Sequence, residues 1–282
     1  MPNRLRSVLL SVAKESETQF GVFQRETEIR DLRVTFEITK SKKKHPNSCT
    51  VSIYNMNEDS RALFQHKPTK LSISAGYDDA PRLLFTGSMT WSETVQKGVD
   101  IVTTAIIGDG ARPFRGATVS RSFAPGTQVI TAVLYVIKAM NMVAPENLAN
   151  DPSLRSKFQA GDTVHGKCSA ELSRLLEPYG YEWSIQDGRL QALRENEALV
   201  DETVISENIL NTLEFGPPSE TTKKKKKPIL NIPMVLNPEL KIGQKVRVEG
   251  LRIKGRFKID ELTHSGDTHG QNWMTTAQAI QI

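Results

Sequence analysis

The stretch Leu32-Arg-Val-Thr-Phe-Glu-Ile-Thr39 decides the fold class. Leu32, Val34, Phe36 and Ile38 alternate with Arg33, Thr35, Glu37 and Thr39. A strict period of two puts one apolar and one polar face on an extended chain, the mark of a half-buried strand. Working outward, the pattern recurs at Cys49, Val51 and Ile53 and at Leu71, Ile73 and Ala75. Residues 82–90 and 101–107 add two strands of mixed burial. Turn residues separate them: His45-Pro46-Asn47, Gly76-Tyr77-Asp78-Asp79, Lys97-Gly98 and Gly108-Asp109-Gly110. One short helix is predicted over 58–64, with Asn57 placed to cap its first turn. Short antiparallel strands with a single small helix predict a barrel or a rolled sheet.

The period changes in the middle of the chain. Val129, Val133, Val136, Ile137 and Met140 share one stripe of a helix that Thr127 can cap. A second helix, over 169–178, buries Leu172, Leu175 and Leu176. It leads into Tyr181-Glu-Trp-Ser-Ile185, Asp187-Gly188 and a run over 189–193; Asp-Gly between two such runs signals a type I′ hairpin. From Gly216 to Pro233 come Pro217-Pro218, five lysines and Pro228, a composition that buries too little apolar surface to order itself, so a mobile loop is expected. Strands resume over 245–249, 256–263 and 272–281. Three strands alone make a poor barrel, so they are expected to complete a sheet with earlier segments in a discontinuous second β domain.

Composition narrows the function classes. The 282 residues are 38% hydrophobic and 24% charged, ordinary globular usage with room for two or three small domains. The formal charge of +5 owes much to two lysine tracts, 42–44 and 223–227, so no whole-surface grip on nucleic acid is implied. Two distant cysteines, Cys49 and Cys168, give neither a disulfide framework nor a zinc site, and free thiols in a cytosol-made chain are expected. The longest apolar stretch, 129–140, carries Thr131 and Lys138 and falls short of the roughly 20 residues of a membrane helix. No signal peptide is expected at the N-terminus.

Candidate chemistry is sparse. His264, Asp267 and His269 offer two imidazoles and a carboxylate, but Gly266 and Gly270 predict a flexible turn and no fourth ligand follows; a structural loop is the expectation. His165 lies near Cys168 without a third group to orient a base, so an inert thiol near a helix start is expected. The carboxylate pairs Asp78/Asp79, Glu195/Glu197 and Asp201/Glu202 read as solvated turns. Gly108-x-Gly110 lacks the third glycine of a phosphate loop, and no Gly-Lys-Ser/Thr occurs. The predicted catalytic, cofactor and metal sets are therefore empty. Lys223, Lys224, Lys225, Lys226 and Lys227 remain as candidate contacts to phosphate or to an acidic partner, against the plainer reading of a solvated loop. No aromatics are interleaved with them, so a stacking platform for single strands is not supported.

Several segments resemble the baseplate hub proteins of contractile-tailed phages, the group that includes the late control protein D type. Val51-Ser-Ile-Tyr-Asn-Met-Asn-Glu-Asp-Ser-Arg61 is similar to that family's strand running into a helix start. Leu71 to Tyr77 followed by Leu84-Phe-Thr-Gly87 resembles its next hairpin. Residues 172–190 resemble its small domain, and Leu236-Asn-Pro-Glu-Leu240 with His264-Ser-Gly-Asp-Thr-His-Gly270 before Trp273 its closing elements. The matches are short but fall in the family's order across most of the chain. The lysine tract at 223–227 has no counterpart in it.

The resemblance implies a mainly β fold with α insertions: two tube-type β-barrel domains, one discontinuous, plus a small helix–hairpin domain. The expected division is 1–115 for the first barrel, 116–215 for the insert, 216–233 for the Lys/Pro-rich loop and 234–282 for the strands closing the second barrel. It further implies a non-enzymatic virion component made in the host cytoplasm, without cofactor or membrane insertion. Its expected partners are itself as a homotrimer, a tail tube or tube-initiator protein, a central spike protein and other baseplate proteins, with DNA only in passage. Two competing readings are an oligonucleotide-binding barrel using the lysine tracts and a tail-borne cell-wall hydrolase.

Overall fold

The computed structural model describes residues 5–18, 21–42, 47–65, 69–78, 80–109, 116–206, 214–216, 229–249 and 253–282. It is mostly β with α insertions, as the alternation predicts. The chain divides into two compact units: Met1–Ser41, Asn47–Asp109 and Leu199–Ile282 form one, and Lys42–Pro46 with Gly110–Ala198 the other.

The first unit opens with a long hairpin, β1 (Arg6–Thr18) and β2 (Gly21–Ile29), followed by β3 (Val34–Ser41) and β4 (Ser48–Tyr54). Helix α1 (Glu58–Gln65) comes next, its first turn capped where the Ser60 N–H donates to Asn57 Oδ1 at 2.8 Å. Then come β5 (Thr69–Tyr77), β6 (Arg82–Lys97) and β7 (Asp100–Gly108). After the second unit the chain returns as β12 (Leu199–Ser206), β13 (Glu214–Gly216), β14 (Ile229–Val235), β15 (Gln244–Glu249), β16 (Lys254–Asp267) and β17 (Trp273–Gln281).

These strands build one 13-stranded sheet in the order β13-β14-β17-β16-β3-β4-β7-β6-β5-β1-β2, with β15 also on β16 and β12 on β15. The late strands thus join the early ones through a ladder running from Glu261↔Ser41 to Asp267↔Thr35. Two separate cores lie in this unit. The first holds Leu10, Phe36, Val51, Ile73, Phe85 and Trp273; the second holds Leu230, Ile232, Val246, Phe257, Ile259 and Ala277. β3 shows why: Val34, Phe36 and Ile38 are buried while Thr35, Glu37 and Thr39 stay on the other face. Each fully buried aliphatic or aromatic side chain contributes about 1.5–3 kcal/mol.

The second unit contains β8 (Thr118–Phe123), α2 (Val129–Ala139), α3 (Glu146–Ala149), β9 (Asp162–Lys167), α4 (Cys168–Leu176), β10 (Tyr181–Gln186) and β11 (Arg189–Arg194). Its core gathers Val133, Val136 and Ile137 of α2 with Leu172, Leu175 and Leu176 of α4 and Trp183 of β10. The Asp-Gly turn is as expected, with φ of 51° at Asp187 and 79° at Gly188, the double positive φ of a type I′ turn.

Four expectations need correction. Residues 6–18 and 21–29, to which no strand was assigned, form the β1–β2 hairpin of the sheet. Gln128, not Thr127, is the N-cap of α2 and makes no side-chain cap bond; the Thr127 carbonyl instead accepts from the Phe158 N–H at 2.9 Å. Residues 229–233 belong to β14 and not to a loop. Among the described residues β13 accompanies β14 only from Ile229 to Asn231, so no described backbone on that side calls for an N–H from Pro233. Asp201 and Glu202 lie in β12, not in a polar turn, because the alternating run 199–206 pairs in parallel with β15.

Candidate functional site

The polar contacts of the first unit concentrate where the β16–β17 turn meets the starts of β1 and β3. The Arg6 guanidinium donates from Nη1 to the Asp267 carbonyl at 3.2 Å and to the Gly270 carbonyl, and from Nη2 to the Gln271 carbonyl at 3.2 Å. Arg33 Nη2 lies 2.9 Å from Asp267 Oδ2, and its guanidinium sits 4.6 Å from the Tyr54 ring centre. The Val34 N–H donates to Thr268 Oγ1 at 3.0 Å, and the Thr268 N–H returns to the Val34 carbonyl at 3.1 Å. Beneath this lid Trp273 packs edge-on to Phe36 and Tyr77, with ring centres 5.7 and 6.4 Å apart. The arrangement holds the turn down and closes one end of the first core. It offers no nucleophile and no vacant ligand set.

The candidate metal cluster is taken apart by strand geometry. His264 is inside β16, not in a flexible turn; it is 1% exposed and its Nδ1 pairs with Thr275 Oγ1 at 2.8 Å. Burial, helped by Lys40, pushes its imidazole down to about 3. Asp267 is held below the usual carboxylate range, first by the Arg33 hydrogen bond and then by backbone N–H groups of His269 and Gly270. His269 sits in the turn with Nδ1 3.0 Å from Thr268 Oγ1. Gly266, expected to make a turn flexible, is a strand residue: a Cβ there would lie 2.5 Å from Phe36 Cζ and 2.8 Å from Trp273 Cε3. Among the described residues no group of three His, Cys, Asp or Glu side chains could hold a metal ion.

The other candidates are likewise separated. His165 is exposed on β9, with Nδ1 3.3 Å from Ser120 Oγ, whereas Cys168 is buried at the start of α4. Burial raises the Cys168 thiol above its ordinary range and pushes Cys49 up to about 12, which keeps both protonated. Glu197 closes a local turn by accepting from the Arg194 N–H at 3.1 Å, and Glu202 lies 3.2 Å from Arg256. Asp78 accepts from the Leu5 N–H at 3.3 Å, and Gly108 ends β7. Lys223 to Lys227, Lys43, Lys44, Asp79 and Gly110 lie outside the described residues.

What the sequence reading did not locate is the set of sheet edges. β2 bonds only to β1, β13 only to β14 and β12 only to β15 among the described strands. An unpaired edge is a row of open N–H and C=O groups that a further strand can complete. The alternation Val8, Leu10, Val12 signalled β1, but the adjacent Leu9 blurred its period.

No family model matches the chain, and no curated protein matches it. Solved structures do. The 43 kDa tail protein of prophage MuSo2 from Shewanella oneidensis is similar at a TM-score of 0.64 and 10% identity, over 98% of this chain and 97% of that one. A tail protein from Neisseria meningitidis MC58 is similar at 0.61 and 10%, over 97% and 96%. The Escherichia coli c3393 protein, a type VI secretion system component with structural similarity to the T4 tail proteins gp27 and gp5, gives 0.60 and 11%, over 89% and 74%. With the two-core sheet and its inserted helical unit, the chain therefore has the fold of phage tail proteins.

Proposed function

We propose that this protein is a structural baseplate hub of a phage-type contractile tail, acting in assembly and not as an enzyme. The observation that carries the reading is one chain with two β cores built on a single sheet whose end strands, β2 and β13, each have one neighbour among the described residues. Each core with its strands acts as a tube-type barrel domain, and the second unit is an insert. Three copies then place six similar domains around an axis. Such a ring matches a hexameric tail tube on one side and a trimeric central spike on the other, with a channel through which DNA passes. Ring closure by heterologous contacts uses two different surfaces per copy, a demand that sheet ends with one neighbour each among the described residues can meet.

The likeness to tail proteins over nearly their whole length supports this role, as does the order of the hub-like segments. In this reading the protein is made in the host cytoplasm and resides in the virion. The lysine tract at 223–227 is a candidate contact to an acidic partner or to DNA. Electron microscopy of the purified protein with its spike-like neighbour tests the proposal. Ring averages with six densities around an opening are expected; compact single copies that never assemble would overturn it.

A further inference from the structure

In the strands that join the two cores of the first unit, core-facing residues alternate with an opposite face built largely of short hydroxyls. One rung of that face runs Thr276, Thr263, Thr39 and Ser48 across β17, β16, β3 and β4. The next passes through Glu37 and Thr50, and a third holds Thr35, Ser52 and Thr104. Ser52 and Thr104 bond hydroxyl to hydroxyl at 2.9 Å, and Ser72 of β5 does the same with Thr86 of β6 at 2.8 Å.

What this face lacks is positive charge. The chain has 37 lysines and arginines against 32 acids. Yet no cation stands at an outward position of β3, β4 or β17, of β7 from Val102 to Ile106, or of β16 from Glu261 to Ser265. Lys40, the lysine within β3, is buried on the core side, and Arg33, just before β3, is held by Asp267 at 2.9 Å. Glu37 is exposed and makes no ion pair among the described residues. β-propensity accounts for threonine on a solvated strand. It does not account for the missing cations, since a solvated surface ordinarily mixes both signs.

We infer that this face is the wall past which DNA moves in the assembled ring. The inference rests on the ring reading and adds which side of the sheet turns to the axis and why the DNA does not stick. Proteins hold duplex DNA chiefly through lysines and arginines on its phosphates, each contact adding affinity. A face of hydroxyls and carboxylates offers no such contact, and Glu37 repels phosphate. Threonine, branched at Cβ, is stiff, and hydroxyls already bonded to one another have fewer donors to spare. The rung through Glu37 and Thr50 ends in exposed Ile106 and Trp91, uncharged as well. A duplex keeps its bases stacked inside, so Trp91 gives it no stacking hold of the kind single strands find.

Two measurements on the full chain, assembled with its spike-like neighbour, test this. Thr50→Cys locates the face, because Cys49 and Cys168 are buried. A small maleimide is expected to label the new thiol in the ring, and a maleimide on a polymer too bulky for the channel to do so roughly tenfold more slowly than in the unassembled chain. Equal polymer labelling of ring and free chain overturns the inference. Thr50→Lys with Thr263→Lys is expected to make the ring hold a DNA duplex about tenfold tighter, with a steep salt dependence. Thr131→Lys with Ala139→Lys, which adds the same charge on exposed positions of α2, is the control, and an equal gain there overturns the inference too. Thermal melts check folding; where the lysine variants do not fold, the labelling comparison decides. A wild type that forms no ring with its neighbour overturns the ring reading itself, so the two failures are distinguishable.

Discussion

Replacing Gly266 by alanine probes the end of the first core at its tightest point. The added Cβ would lie 2.5 and 2.6 Å from Cζ and Cε1 of Phe36 and 2.8 Å from Cε3 of Trp273. Both rings are held: Phe36 is 4% and Trp273 5% exposed, and Trp273 is braced by Tyr77 and by the Arg6 guanidinium 5.4 Å from its ring centre. Gly266 does not have a positive φ, so the cost is steric and not conformational. Overpacking of this kind costs about 1–3 kcal/mol, and two immobile rings place it in the upper half of that range. Gly98→Ala is the opposite case, with open space around the new Cβ but a φ of +63°, and should cost about 1 kcal/mol through the backbone alone. Urea unfolding followed by tryptophan fluorescence measures both. Phe36→Leu removes the closest clash, so the double variant with Gly266→Ala should lose less than the sum of the singles, by about 1 kcal/mol. A Gly266→Ala protein within about 0.5 kcal/mol of wild type, or strict additivity with Phe36→Leu, would refute the packing argument.

Four further outcomes follow from buried and paired groups elsewhere in the protein. His264, with its folded value near 3 against an ordinary 6.5, stays neutral in the fold while the unfolded chain takes up a proton, so stability falls as pH drops between those values. Asp267, shifted downward, contributes stability above the ordinary carboxylate range and loses it as pH falls below; His264→Gln should flatten the first window and Asp267→Asn the second in urea midpoints measured against pH. Cys49 and Cys168, buried with raised thiol values, should resist alkylation in the native protein and react together on unfolding, as read by mass shift. Asp151 accepts from the Ser153 N–H at 2.9 Å and from the Tyr181 hydroxyl at 2.8 Å beside Arg194, so Asp151→Ala should lower thermal stability by about 1–3 kcal/mol.

Much of this fold was legible because its strands carry one wet face. The period of two in 32–39, 49–53 and 71–75 gave β3, β4 and β5 with the correct buried sides, and Asp187-Gly188 gave the β10–β11 turn. The parts missed are those whose stability is not local. β12 pairs in parallel with a strand more than forty positions away, and the hairpin β1–β2 is fixed by β5, neither of which a window of sequence shows. His264 and His269 differ by five positions yet have opposite fates, because β16 continues through Asp267 and turns His264 into the core. The sheet edges carry no motif at all; they emerge only when every other strand has found its neighbour.

The proposed ring depends on whether copies of this chain associate, and the mass of the purified protein in solution, alone and with the protein encoded beside it, tests that most directly. A trimer in either condition is the expected result. A monomer in both would contradict the hub and leave a tail-protein fold without a ring.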